Sequence, residues 1–108
     1  MSAEISIVQL SGELDIARAA SMREELLTAV GNRHAGLVVD LTAATYLDSA
    51  GVNVLFEVAE ALRQHQLAMA LVVPSDSLVE RVVALVNLAS VAPVQADVEA
   101  ALAHIRGG

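Results

Sequence analysis

The sequence lacks cysteine and lysine and contains few aromatic residues, and these absences exclude several classes of function. Without cysteine the chain has no disulfide framework and no thiolate metal site. Without lysine it is not a Walker-A nucleotide hydrolase, a Schiff-base enzyme or a kinase, because each of these needs a lysine amine. Tyr46 and Phe56 are the only aromatic residues, so a core must be built from Ala, Val and Leu.

Basic charge is also scarce. Six arginines oppose 13 acidic residues, which gives a net charge of −7. Nucleic acids and anionic membrane surfaces bind proteins through basic residues, so neither is an expected partner. The longest uncharged stretch, residues 82–96, is shorter than the roughly 20 residues of a membrane span, and it contains Pro93. No secretory signal is visible at the start of the sequence, and we predict a cytoplasmic protein without membrane insertion.

Strand-like and helix-like apolar segments follow one another along the sequence, and this order predicts an α/β domain. Four segments show the composition of strands, namely Ile5–Leu10, Leu37–Leu41, Leu67–Val73 and the short stretch Val91–Val94. Segments with helical spacing lie between and after them. This order predicts one domain over residues 1–108, with a mostly parallel sheet of about four to five strands covered by helices.

The predicted helices have recognisable starts and apolar stripes. Asp15 is placed to cap the first helix, and a capping box, Ser77-x-x-Glu80, opens the third. The first stripe includes Ile16, Met22, Leu26 and Val30, and the third consists of Val79, Val82, Val83 and Val86.

The junction Thr45–Phe56 is the most informative segment for function. Asp48 is placed to cap the second helix, which leaves the hydroxyl of Ser49 in its first turn able to face water. Gly51 has no side chain, so the backbone of another protein could approach it closely. A helix start carries about half a positive charge and free amides, which could hold a phosphoryl group on Ser49. The alternative explanation is that Asp and Ser are simply good helix starters.

Three pieces of sequence carry a resemblance to a known family. They are Gly-Glu-Leu-Asp at Gly12–Asp15, the strand Leu37–Leu41, and Tyr-Leu-Asp-Ser-Ala-Gly-Val at Tyr46–Val52. In this order and at this spacing they resemble the STAS-domain family, and more narrowly the bacterial anti-sigma factor antagonists. The resemblance extends over nearly the whole chain.

The resemblance implies a phosphorylation-switched binding protein. In that family the motif reads Asp-Ser-(Ser/Thr)-Gly, and a partner serine kinase, which is also the anti-sigma factor, phosphorylates its first serine. Carried over, Ser49 is the phosphoacceptor, and Asp48, Ser49, Ala50, Gly51 and Asn53 form the partner-binding surface. Ala50 departs from the pattern, which removes an alternative acceptor. A separate phosphatase would reset the switch, and releasing a sigma factor would regulate transcription.

Enzymatic and metal-dependent alternatives have weaker support in the sequence. The three histidines, His34, His65 and His104, fall at or after predicted helix ends and have no metal-ligand spacing. Ser49 lacks the Gly-x-Ser-x-Gly elbow of a catalytic nucleophile. We therefore expect no catalytic residue, no metal and no cofactor. Two other functions stay open, a STAS scaffold subunit of a lipid-transport or stress-signalling complex, and a domain that binds a nucleotide or another anion at the Ser49 helix start.

Overall fold

The computed structural model describes residues 4–31 and 34–107, without the side chain of His34. In these residues, six strands alternate with four α-helices and one 3-10 helix at Leu88–Ser90. The strands are β1 Glu4–Gln9, β2 Gly12–Leu14, β3 His34–Asp40, β4 Ala44–Leu47, β5 Ala68–Val72 and β6 Val94–Gln95. The helices are α1 Ile16–Val30, α2 Ser49–Gln64, α3 Leu78–Leu85 and α4 Val98–Gly107.

The main sheet contains four parallel strands in the order β1-β3-β5-β6. Ile7 pairs with Val38, and Val38 pairs with Ala70, so the middles of β1, β3 and β5 lie in one row across the sheet. Parallel neighbours need crossover connections, and the intervening helices provide them. The predicted α/β architecture with a parallel sheet is confirmed.

Helices cover both faces of this sheet and enclose two apolar clusters. The larger cluster includes Leu37 and Leu71 of the sheet and Met22 and Leu55 of α1 and α2, all almost completely buried. On the other face, α4 packs Ala101 against Val38, Ala70 and Val72. Because both faces are covered, the strands are apolar along most of their length, as residues 37–41 already indicated.

A second sheet, formed by β2 and β4, is the main difference from the predicted architecture. Its two parallel strands pair Leu14 with Leu47. The sequence patterns predicted a helix cap at Asp15 and the start of a helix after Thr45–Leu47, but no strand in either segment. Three or four residues are too few for an alternating pattern to be recognisable, and the pairing joins segments about thirty residues apart.

The apolar stripes of α1 and of the third predicted helix are confirmed except at one terminal residue each, Ile16 and Val86. Met22, Leu26 and Val30 of α1 are buried, but Ile16, the first residue of α1, is 79% exposed. In the third helix Val79 and Val83 are buried, whereas α3 ends at Leu85, and Val86, its C-cap residue, is 36% exposed. A periodic pattern does not show where a helix passes beyond the edge of the core.

The start of α3 confirms the predicted cap at Ser77. Its hydroxyl accepts a hydrogen bond from the Glu80 amide at 3.0 Å. The Glu80 carboxylate accepts from the amide of Asp76 at 2.8 Å, one residue before the partner that a capping box would give it.

Candidate functional site

The candidate site lies where the two short strands β2 and β4 lead into α1 and α2. Because Leu14 pairs with Leu47, the next residues, Asp15 and Asp48, come at the same end of the second sheet. Both aspartates are helix caps with nearly the same extended backbone conformation, φ −116° and ψ −172° at Asp15 and φ −106° and ψ −173° at Asp48. The two helices therefore start side by side.

Asp48 fixes the start of α2 through four hydrogen bonds. Its carboxylate oxygen Oδ1 accepts from the amides of Ala50 and Gly51, at 2.9 and 3.1 Å. Its carbonyl accepts from the Val52 amide at 2.9 Å, and its own amide donates to the Leu14 carbonyl at 3.3 Å. The predicted capping role of Asp48 is confirmed. The amides of residues 50 and 51 are already bonded to this carboxylate, so these two are not among the free amides expected at the helix start.

Gly51 lies under the site rather than on its surface. It is buried, and a Cβ built on it would overlap the Leu14 carbonyl oxygen and come within 2.8 Å of Leu47 Cδ1. The expected space for the backbone of another protein is therefore occupied by this chain's own strand β2. Glycine is needed here because the first turn of α2 packs directly on the end of that strand.

The remaining motif residues form an exposed face at the start of α2. Ser49 and Asn53 are exposed, and their spacing of four residues places both on one side of the helix. Ala50 and Asp48 are partly buried beside them. Among residues 4–31 and 34–107, no hydrogen bond occupies the Ser49 hydroxyl. The structure thus brings Asp48, Ser49, Ala50 and Asn53 together and puts Gly51 beneath them.

Acidic residues outnumber basic ones near Ser49, where Arg18 in the first turn of α1 is the basic residue. Glu13 on β2 is exposed, and Asp15 and Asp48 are partly exposed at the same end of the molecule. Two turns along the helices, Arg23 of α1 donates two hydrogen bonds to the Glu57 carboxylate, at 2.9 and 3.0 Å. The hydrogen bond from Arg23 lowers the pKa of Glu57, and the bond to Glu57 raises the pKa of Arg23. Arg23 is thus engaged with Glu57.

The histidines do not join this site. His65 caps the end of α2, His104 lies in the last turn of α4, and His34 follows the end of α1 as the first residue of β3, all as predicted. In the described part of the chain, no group of three or more acidic or histidine side chains is arranged to hold a metal ion. Across residues 4–31 and 34–107, no helix is both long and apolar enough to cross a membrane.

Comparison with known proteins identifies the family of this domain. The STAS domain family matches residues 2–101, which is most of the chain. The chain belongs to the STAS domain family. A STAS relative, the anti-sigma-F factor antagonist RsfB of Mycobacterium tuberculosis, is 28% identical over 104 residues, covering 96% of this chain and 84% of RsfB.

Solved STAS structures share the fold. A Thermotoga maritima protein described as a putative anti-sigma factor antagonist superposes with a TM-score of 0.83 at 20% identity, covering 94% of this chain and 87% of its own. The anti-sigma factor antagonist SpoIIAA in its unphosphorylated form gives a TM-score of 0.78 at 23% identity, covering 99% and 92% of the two chains. At these identities the structures establish the STAS fold of this chain.

Sequence reasoning missed the contribution of β2 to this STAS site. Leu14 supplies the carbonyl under Gly51, and Ile16 places a large exposed side chain at the start of the neighbouring helix. One signal was available, because Leu-Asp occurs both at Leu14-Asp15 and at Leu47-Asp48, each time before a helix.

Proposed function

We propose that this STAS domain is an anti-sigma factor antagonist whose binding to an anti-sigma factor kinase is controlled by phosphorylation of Ser49. The observation that carries the proposal is the exposed Ser49 hydroxyl in the first turn of α2, rigidly presented by the Asp48 cap. The relationship to RsfB over nearly the full chain supports the anti-sigma factor antagonist part of this proposal. In this role the domain is the substrate of a kinase and has no catalytic residue of its own.

The acidic surroundings explain how a phosphate would act as a switch. A phosphoserine adds about 1.5 to 2 negative charges. At Ser49 these charges would lie beside Asp48 and Asp15, and the amides of residues 50 and 51 are not free to neutralise them. The new charge and its bulk would therefore weaken the packing of a partner against the face formed by Asp48, Ser49, Ala50 and Asn53, and a phosphatase would restore binding.

The same hydrogen bonds count against the anion-binding alternative. A nucleotide phosphate at a helix start is normally held by free backbone amides. Here the Asp48 carboxylate accepts from two of them and adds a negative charge at the point where the phosphate would bind. A protein partner that packs on the Ser49 face does not need free backbone amides at the helix start.

Phosphorylation by the cognate kinase tests the assignment of the acceptor. Incubated with this kinase and ATP, the protein should gain one phosphate, which mass spectrometry should map to Ser49. Ser49→Ala should abolish it, because Ala50 offers no second hydroxyl in the motif. Phosphate on Thr45, which is also exposed, or the absence of any phosphate would contradict the proposal.

Binding measurements test the switch itself. Titration calorimetry with the kinase should give similar affinities for the wild type and Ser49→Ala, and an affinity weaker by about 1–3 kcal/mol for Ser49→Asp. Ala103→Asp is a matched control, since it adds one negative charge to an exposed residue of α4, on the opposite face of the sheet, and it should leave the affinity unchanged. Equal affinities for the phosphorylated and unphosphorylated wild type would refute the switch.

A further inference from the structure

The two edges of the main sheet differ in how well they are protected from pairing with another chain. Proteins usually shorten such edges or block them with proline and charged residues. The edge strand β6 has two residues and directly follows Pro93. The other edge strand, β1, has six residues and no proline, and its one charged residue is Glu4 at its start. Within residues 4–31 and 34–107, β1 pairs with β3 alone, so its other side is open.

The open side of β1 presents unpaired backbone groups. The Leu10 amide, just after the strand, donates to the Asp40 carbonyl of β3 at 3.0 Å. Because successive residues of a strand alternate in direction, the amides and carbonyls of Ile5, Ile7 and Gln9 point away from β3. Ile7 is 49% exposed and Gln9 is also exposed. An added strand would therefore find donors and acceptors along most of β1.

A groove separates this open edge from α1. Its volume is about 580 Å³, and one continuous surface lines it, including Ile7–Gln9 of β1 and Ser21, Glu24, Glu25 and Thr28 of α1. Side chains of an added strand that face α1 would enter this groove. In strand addition, the main chain supplies much of the affinity, and side chains at alternate positions supply the specificity.

The charge in the groove is negative. Glu24 and Glu25 are both exposed, and neither forms an ion pair with another described residue. Arg23 is engaged with Glu57 of α2. Arg18 lies two turns before Glu25 on the same side of α1, and it is not part of the groove lining. The groove therefore places two unneutralised carboxylates beside the open backbone edge.

We infer that the open edge of β1 binds an extended, positively charged segment of another protein, which adds to the main sheet as a further strand. Its basic side chains, at every second position, would face α1 and meet Glu24 and Glu25. Apolar side chains between them would face the side of Ile7, since Ile5, two residues earlier, packs in the cluster under α4. A second copy of this chain is disfavoured there, because it would bring another acidic α1 and a net charge of −7.

Titration calorimetry with an octapeptide of alternating arginine and valine tests this inference. The wild type should bind it at about 0.15 M salt, and amide hydrogen exchange at Ile7 and Gln9, followed by NMR, should slow in the complex. The control peptide has prolines in place of its two central valines, so it keeps the charge and loses backbone donors. It should bind at least about tenfold more weakly, because proline cannot join a ladder of strands.

Charge reversal tests the role of the groove. Glu25→Arg should weaken binding of the alternating peptide by about tenfold, because the peptide then meets a like charge. Glu99→Arg is the matched control, an exposed glutamate in the first turn of α4, on the opposite face of the sheet. It should change the affinity by no more than about twofold, since charges are screened beyond about 8 Å at this salt concentration. Thermal unfolding should show that both variants fold.

Several results would overturn the inference. They are the absence of peptide binding, equal binding of the proline peptide, equal losses in Glu25→Arg and Glu99→Arg, and unchanged exchange at Ile7 and Gln9. Slow exchange at these amides in the free protein, caused by pairing of two copies through β1, would also overturn it. Ser49→Ala should bind the peptide as the wild type does, so these outcomes are independent of the proposed phosphorylation switch.

Discussion

The starts of α1 and α2 share one backbone design and differ in the side chains placed on it. Asp15 accepts hydrogen bonds from the amides two and three residues later, and Asp48 does the same. The first helical residue is the exposed Ile16 in α1 and the exposed Ser49 in α2. The aspartate cap therefore sets the backbone of the first turn, and the first helical residue determines whether that turn exposes an apolar side chain or a hydroxyl.

The third helical residue shows a second difference between the two starts. It is Arg18 in α1 and Gly51 in α2, and both amides bond to the capping aspartate. Gly51 packs on the Leu14 carbonyl, whereas Arg18 remains partly exposed. The start of α2 is therefore fixed by packing as well as by its cap.

Gly51→Ala should have the largest effect on stability, and it tests directly whether the start of α2 depends on tight packing. In an ordinary helix interior this change stabilises by about 1 kcal/mol. Here the added Cβ meets the Leu14 backbone, and we expect a loss of about 1–3 kcal/mol in the free energy of unfolding, measured by urea denaturation. Gly107→Ala, where a Cβ meets nothing within 4 Å, should stay within about 0.5 kcal/mol. A stabilised Gly51→Ala variant would contradict the tight packing.

Asp48→Ala and Asp15→Ala test whether the two caps differ in function as well as in position. Each variant loses two hydrogen bonds to helix amides and should lose about 1 kcal/mol of stability. Only Asp48→Ala should also slow phosphorylation by the kinase, measured as initial rate, because only this cap holds Ser49. Equal slowing by both variants would mean that the kinase recognises the pair of helix starts as one surface.

The double variant Ile16→Ser, Ser49→Ala moves the exposed hydroxyl from the start of α2 to the start of α1. It tests whether a capped helix start alone is enough for the kinase. Stability should stay within about 0.5 kcal/mol of the Ser49→Ala protein, because Ile16 is exposed. The kinase should incorporate no phosphate, since the residues around this position are those of α1. Phosphate mapped to position 16 would show that a capped helix start is sufficient for recognition.

Glu57→Gln should have the smallest effect, visible mainly through its pH dependence. The hydrogen bond from Arg23 lowers the pKa of Glu57 below the ordinary 4.5. The pair therefore contributes stability above this value, and the contribution is lost as the pH falls through the lowered pKa of the folded state. Urea denaturation should show the wild type slightly more stable than Glu57→Gln at neutral pH, with the difference disappearing in acid. A difference that persists at low pH would point to a role of Glu57 other than this ion pair.

The order of the main-sheet strands and the helices, and the caps of the first three helices, were readable from the sequence because they depend on local patterns. Apolar runs marked the main strands, and side chains that bond to amides two or three residues away marked the caps at Asp15, Asp48 and Ser77. The exposure of Ser49 was predicted from its position in the sequence, directly after the cap at Asp48. These features involve neighbours in the chain, which the sequence displays directly.

Only the tertiary structure decided what lies next to those residues. The pairing of β2 with β4, the Leu14 carbonyl beneath Gly51 and the Arg23–Glu57 pair join segments about thirty residues apart. The exposure of Ile16 and Val86, both members of periodic apolar stripes, likewise depends on where the sheet and the neighbouring helices end. Local periodicity records which side of a helix is apolar, but contact with the core is a property of the packed chain, and no local pattern specifies it.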